Sequence, residues 1–282
     1  MTGLYIETTL TITPYIEEAA DIMAALLADA GYETFIPIEN GTKCYILKEN
    51  YNSSMVDEAI SQNPFECTII YNSIEVEDED WNKKWVEESF TPISIDNDCI
   101  IHLPKHQIEK NIKYDILINP IMAFGSGHHQ TTAMMVRWLL KDKDIQGKSL
   151  LDIGCGTAIL AIVAKKCGAG NVCAIDIDER AYNNAKENIA LNGCSDIEVR
   201  LGGAEAIGDS KFDIILANIN KNILLSDMSI YSSALKPGGS IYVSGFFVSD
   251  IEDLSKCASQ YGLTKVAEVS DEEWASVKFS KI

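Results

Sequence analysis

No stretch of this chain holds the roughly 18 consecutive apolar residues that a membrane span needs, and no basic-then-apolar leader opens it. The expectation is a cytoplasmic protein with no membrane contact. The eight cysteines, at 44, 67, 99, 155, 167, 173, 194 and 257, form no C-x-x-C pair and no metal-ligand spacing. Free thiols in a reducing compartment fit that scatter better than disulfides or zinc, and no metal is expected. Positive charge is scarce as well: 23 Lys and Arg stand against 42 Asp and Glu, a net charge of −19. The deficit is local. Residues 1–98 hold 20 acids against 4 lysines, whereas residues 99–282 hold 22 acids against 19 bases. A chain without a basic stripe is a poor fit to a phosphate backbone, so DNA is not an expected partner. An acidic front third instead attracts basic partners.

A length of 282 residues is comfortable for two domains. Residues 1–76 spell a small unit: a strand at Leu4–Ile12, then a helix from Pro14 to Ala30 capped by Thr13 and stopped by Gly31. Two strands, Glu33–Ile38 and Lys43–Lys48, flank the Asn40-Gly41 hairpin signal. A second helix opens at Ser53 or Ser54, and a strand follows at Cys67–Tyr71. The order β-α-β-β-α-β is the ferredoxin-like split βαβ pattern, with no residue set that suggests chemistry, so a docking role is expected of it. An acidic boundary, Glu75–Asp80, leads into Trp81 and Trp85, which share one helical face. Residues 77–90 are expected to be a linker helix, and Phe90–Leu103 to form two short strands.

The chain is organised around Lys148–Asp178. Ser149–Ile153 is an apolar run without alternation, as in a strand buried on both faces. Gly154-Cys155-Gly156 makes a tight turn, Thr157–Cys167 an apolar helix, and Val172–Ile175 a second buried strand with Asp176 at its end. This is the first βαβ unit of a doubly wound sheet, in which ligands lie beyond the strand ends. A dinucleotide fingerprint needs a third Gly where this chain has Ile159, which disfavours nicotinamide and flavin dinucleotides. Asp176, about twenty residues past the turn, can accept hydrogen bonds from both ribose hydroxyls. D-x-G-x-G followed by I-D resembles the nucleoside-binding unit of class I methyltransferases, which use S-adenosylmethionine (SAM).

Residues 119–132, NPIMAFGSGHHQTT, form a second informative stretch, a glycine-rich loop running into a helix at Thr132–Leu140. Such a loop offers backbone N–H groups to an anion such as the SAM carboxylate. Alternation then continues: helix Glu179–Asn192 capped by Asp178, strand Ile197–Leu201, strand Phe212–Ala217 ending at Asn218, helix Ile223–Leu235, strand Ser240–Ser244, and a helix announced by Ser249–Glu252. Leu263–Val269 and Trp274–Phe279 suit the antiparallel edge of a seven-stranded sheet. Asn218 should face the transfer site. Ala217-Asn218-Ile219-Asn220 lacks the N-P-P-[YFW] box that grips an adenine or a glutamine amide.

The D-W-x-x-x-W segment at Asp80–Trp85, the A-F-G-x-G-x-H-x-T-T loop, the D-x-G-C-G turn and A-N-I at 217–219 together resemble the bacterial ribosomal protein L-eleven (L11) methyltransferases. Glu273-Trp274 is similar too. The likeness covers about residues 78–282, whereas 1–76 agree mainly in expected fold. Departures are Asn119 for the usual Asp, Ser126 and His128 for Thr, and Gln130 for Pro. The resemblance implies a class I methyltransferase domain at 91–282, a Rossmann-like doubly wound seven-stranded α/β sheet, preceded by the ferredoxin-like α+β domain at 1–76 as substrate-recognition domain. It implies SAM as cofactor, held by Thr132, Gly154, Asp176 and Asn218, with Phe124, Gly125, Asp152 and Gly156 close by. It also implies methylation of lysine side chains and the N-terminal amine of a basic ribosomal protein, L11, bound through the acidic domain of a monomer. His129 and Asn218 are the candidates for a catalytic part, though no carboxylate at fixed spacing orients the histidine. A neutral amine displacing a thioether needs no general acid, so proximity and desolvation are expected to do most of the work. The alternatives are a methyltransferase for another basic protein or for RNA, and a non-catalytic SAM-binding or docking module.

Overall fold

A computed structural model describes residues 5–76, 90–108, 112–120 and 130–281, and the chain divides into two units, residues 1–81 and 82–282. In the first unit, β1 (Tyr5–Thr13), α1 (Glu17–Asp29), β2 (Thr34–Ile38), β3 (Gly41–Leu47), α2 (Ser53–Ser61) and β4 (Thr68–Val76) follow one another. The sheet order is β2-β3-β1-β4, antiparallel throughout, which is the ferredoxin-like arrangement. Ile6 and Leu10 of β1 meet Met23 and Leu27 of α1, Cys44 and Ile46 of β3, and Val56 of α2 in one core. Their spacing, two or four residues in strands and four in the helix, is what places them on shared faces.

Several boundaries differ from the sequence expectation; β4, for one, runs on to Val76 instead of ending at Tyr71. The first helix starts at Glu17 rather than Pro14, because Thr13 is spent in the β1–β4 ladder opposite Thr68. The second is capped by Asn52, whose side chain accepts the Ser54 N–H at 3.1 Å, so neither serine is the cap. The expected hairpin forms, with Glu39 and Asn40 as its two turn residues and Gly41 opening β3. A Cβ at Gly41 would lie 2.0 Å from the Leu10 carbonyl oxygen, so no other residue fits there.

The second unit begins with a three-stranded sheet, β5 (Ile93–Ile95), β6 (Cys99–His102) and β7 (Tyr114–Leu117). The sequence pattern had suggested only the first two of these. A seven-stranded sheet follows in the order β10-β9-β8-β11-β12-β14-β13. Its strands are β8 (Leu150–Ile153), β9 (Val172–Asp176), β10 (Glu198–Leu201), β11 (Phe212–Asn218), β12 (Leu235–Phe247), β13 (Leu263–Asp271) and β14 (Trp274–Lys281). β10, β9, β8, β11 and β12 are parallel, and β14 and β13 close the edge antiparallel, as expected.

Helices α3 (Gln130–Lys141), α4 (Ile159–Lys166), α5 (Glu179–Leu191), α6 (Lys221–Ala234) and α7 (Ile251–Gln260) cover the sheet. Residues of α3, α4 and α5 share a core with Leu150 of β8. Those of α6 and α7 share the opposite one with Leu151 and Ile153. A strand sandwiched in this way has no solvent face, which is why Ser149–Ile153 shows no polar alternation. The Ser249–Glu252 pattern does not cap α7. Instead, Asp250 accepts the Phe247 N–H at 3.1 Å. Among the described residues no helix is long and apolar enough to cross a membrane.

Candidate active site at the carboxyl edge of the sheet

The chain leaves β8 toward β9 on one side and returns to β11 on the other, so the carboxyl ends of β8, β9 and β11 surround the point where the strand order reverses. Such a crevice is where doubly wound sheets hold ligands. The turn after β8 is held from below: the Gly154 and Cys155 N–H groups both donate to the Ile175 carbonyl, at 2.8 and 3.0 Å. Gly154 and Gly156 take φ of +67° and +54°, the left-handed region that costs a side-chain-bearing residue about 1–2 kcal/mol. Ala158 adopts it too, at +60°.

Asp176 stands at the end of β9 with its carboxylate turned toward the turn. One oxygen accepts the Gly156 N–H at 2.7 Å and the other the Asp178 N–H at 3.0 Å. A carboxylate has about four lone-pair positions, so these two bonds orient it and leave capacity for further donors. Asp178 in turn caps α5, accepting the Arg180 N–H at 2.7 Å. Ile177 projects between the two acids and is 78% exposed. A large apolar side chain so bare at the ligand edge is the feature the sequence pattern did not single out. Its signal was an apolar residue directly after the strand-ending acid.

Asp152 sits beneath the turn, not in the crevice. It is 1% exposed, and one carboxylate oxygen accepts the Ala161 N–H at 3.0 Å. Burial, aided by the charge of Asp176 and opposed by that N–H, pushes its carboxyl up to about 7. Cys155 is buried beside it, and burial with the two neighbouring acids raises its thiol well above the ordinary value. That environment is wrong for a nucleophile.

Across the crevice, Asn218 ends β11 and its side-chain amide donates to the Thr132 hydroxyl at 3.3 Å, so two residues distant in sequence meet at the edge. Ile219 then passes between two glycines. A Cβ on Gly154 would fall 2.3 Å from Ile219 Cγ2, and one on Gly245 would fall 2.6 Å from the Ile219 carbonyl oxygen. Gly245, φ +92°, belongs to this close approach and has no motif signal of its own. Phe124, Gly125 and His129 lie outside the described residues.

The family model for Ribosomal protein L11 methyltransferase matches residues 15–282. A protein of Bacteroides fragilis named Ribosomal protein L11 methyltransferase is 45% identical over 277 residues, spanning 98% of this chain and 99% of its own. One of the same name from Chlorobaculum parvum is 33% identical over 266 residues, 91% of this chain and 90% of its own. Among solved structures, the ribosomal protein L11 methylase of Lactobacillus delbrueckii subsp. bulgaricus superposes with a TM-score of 0.62 at 27% identity, covering 68% of this chain and 98% of that one.

Proposed function

From the premise that the chain belongs to the ribosomal protein L11 methyltransferase family, we propose that it transfers methyl groups from SAM to lysine side chains and the N-terminal amine of ribosomal protein L11. The observation that carries this reading is the convergence of Gly154, Asp176, Asn218 and Thr132 on one crevice.

The residues present suit an adenosine derivative. Asp176 would take the ribose hydroxyls, since its two backbone bonds fix the carboxylate without exhausting it. Ile177 offers an apolar surface to a base. The turn at Gly154, where a Cβ cannot be accommodated, brings backbone close to a ligand, and the Asn218–Thr132 pair would meet the amino-acid end. When bound, SAM supplies an electrophilic methyl whose leaving group is a neutral thioether.

The chain's own task is to deliver an unprotonated amine. A lysine with its reference pKa of about 10.4 is neutral only about once in 10^3.4 molecules at pH 7, a cost of roughly 4.6 kcal/mol, against about 1 kcal/mol for an α-amine. Excluding water around the amine lowers its pKa, and alignment of reacting atoms contributes several kcal/mol more. Asn218, the candidate nearest the transfer point, acts by its amide: it carries no charge and orients without taking a proton. The acidic front third, with 20 acids against 4 lysines over residues 1–98, recruits the basic substrate at a distance. Carboxylates beside the amine itself would keep it protonated. Purified protein incubated with methyl-labelled SAM should label L11 and leave ribosomal RNA unlabelled. Label on RNA alone would overturn the substrate, and label on neither would overturn the activity.

A further inference from the structure

Helix α5 carries Asn184 and Asn188, and Asn192 caps its carboxyl end, at i, i+4 and i+8. Asn184 and Asn188 are 3% and 0% exposed. Asparagine is a poor helix former, and two of them buried in line with a third, half-buried one at the cap ask for a reason. Their amides pair with the backbone of an extended segment. Asn192 accepts the Leu117 N–H at 3.0 Å and donates to the Leu117 carbonyl at 2.6 Å. Two residues on, Asn188 accepts the Asn119 N–H at 2.8 Å while Asn184 donates to the Asn119 carbonyl at 2.7 Å. The match is one of pitch. Four helical residues rise about 6.0 Å, and two strand residues advance about 6.7 Å. A row of asparagines one turn apart therefore imitates the edge of a neighbouring strand: β6 pairs β7 on one side, and the asparagines meet Leu117 and Asn119 on the other.

Asn188 does more than its neighbours. Its amide also donates to the Asn184 side-chain oxygen at 3.2 Å and to the Thr157 carbonyl at 3.1 Å, inside the glycine turn. One buried side chain thus joins the turn after β8 to the backbone at Asn119, the residue from which the chain continues through Pro120 to the 121–129 motif. Asn192, by contrast, reaches Leu117 and the Asn188 carbonyl of its own helix.

We propose that Asn188 is a positioning residue for the cofactor, setting the register between the glycine turn and the Asn119 backbone. Position 119 takes part through its main chain, so the contact does not depend on which side chain stands there. This rests on the assignment of SAM to the crevice. The test compares Asn188→Ala, Asn188→Asp and Asn192→Ala for SAM dissociation constant, and for KM and kcat at saturating L11. Asn188→Ala should raise Kd and KM for SAM roughly tenfold or more while kcat stays within about threefold. Asn192→Ala, which breaks bonds of the same kind away from the turn, should leave KM within about threefold. Asn188→Asp retains the shape and the acceptor for the Asn119 N–H but loses the donor to Thr157. It should behave like Asn188→Ala, and it decides the matter if the alanine variant does not fold. Equal KM values in wild type and Asn188→Asp, or an equal rise in Asn192→Ala, would overturn the positioning role. A wild-type protein that took up no SAM would overturn the crevice assignment and this inference with it.

Discussion

Glu7 in the first unit and Asp152 in the second are both buried carboxylates, and they are treated oppositely. Glu7 accepts from Lys43 Nζ and Tyr45 OH, each at 2.8 Å. Burial works to raise its carboxyl, but these partners outweigh it and hold the group below the ordinary value. Asp152 lies under the glycine turn with the Ala161 N–H at 3.0 Å, and burial pushes it up to about 7. The difference follows from architecture. In the four-stranded sheet, Tyr45 stands across from Glu7 and Lys43, opposite Thr9, reaches it diagonally; the lysine side chain stays 32% exposed, so the pair costs little desolvation on its side. In the parallel sheet both faces are covered, and an acid there is answered by backbone. The first unit keeps its buried acid charged through side-chain partners, and the second sets its own under a turn with a backbone amide.

The comparison can be broken most forcefully at the turn. Gly154→Val places a branched side chain at φ +67° and 2.3 Å from Ile219 Cγ2, which should cost more than about 3 kcal/mol and abolish SAM uptake. Thermal melts with and without SAM check both. A smaller effect, on the order of a few kcal/mol, is expected from Asp152→Asn. Because the folded pKa is raised, the contribution of Asp152 is fully present below the unfolded value and is lost as pH rises toward about 7. The variant should gain on wild type between pH 4 and 7.5 in denaturant titrations; a constant offset would contradict the buried-acid account. Glu7→Gln should cost about 1–2 kcal/mol at neutral pH. The sign here is reversed: a depressed folded pKa contributes stability above the unfolded value and loses it as pH falls. The Glu7→Gln penalty should therefore shrink in acid, which is where the Asp152→Asn variant stands lowest against wild type. The mildest expectation concerns the outward charge. L11 association should weaken steeply with salt through a slower on-rate, and equal binding at low and high ionic strength would remove the steering role.

Much of this was legible in the sequence, for identifiable reasons. Strands covered on both faces announce themselves as unbroken apolar runs, so β8 and β9 were plain, and the antiparallel β13–β14 edge followed from the count. The turn was legible because Gly154 and Gly156 sit where φ is positive. What stayed hidden depends on partners far along the chain. Nothing local marks Thr13 as a strand residue rather than a helix cap, since its ladder partner is Thr68. β7 is four residues long with a charge inside it, and the edge it turns away from β6 is met at Leu117 by Asn192, at the end of α5. Those asparagines resemble a solvated helix face when the helix is considered alone. Gly245 matters because Ile219 crosses it, a close approach that only the fold creates.

The central claim is that Asp176, held by the Gly156 and Asp178 N–H groups, grips the ribose of SAM at the carboxyl edge of the sheet. Isothermal titration of SAM into wild-type protein and into Asp176→Ala tests it most directly. Saturable one-to-one heat in wild type, and affinity lowered at least about a hundredfold in the variant for the two charge-assisted bonds lost, is the predicted result. No heat in either protein, or the same affinity in both, would contradict it.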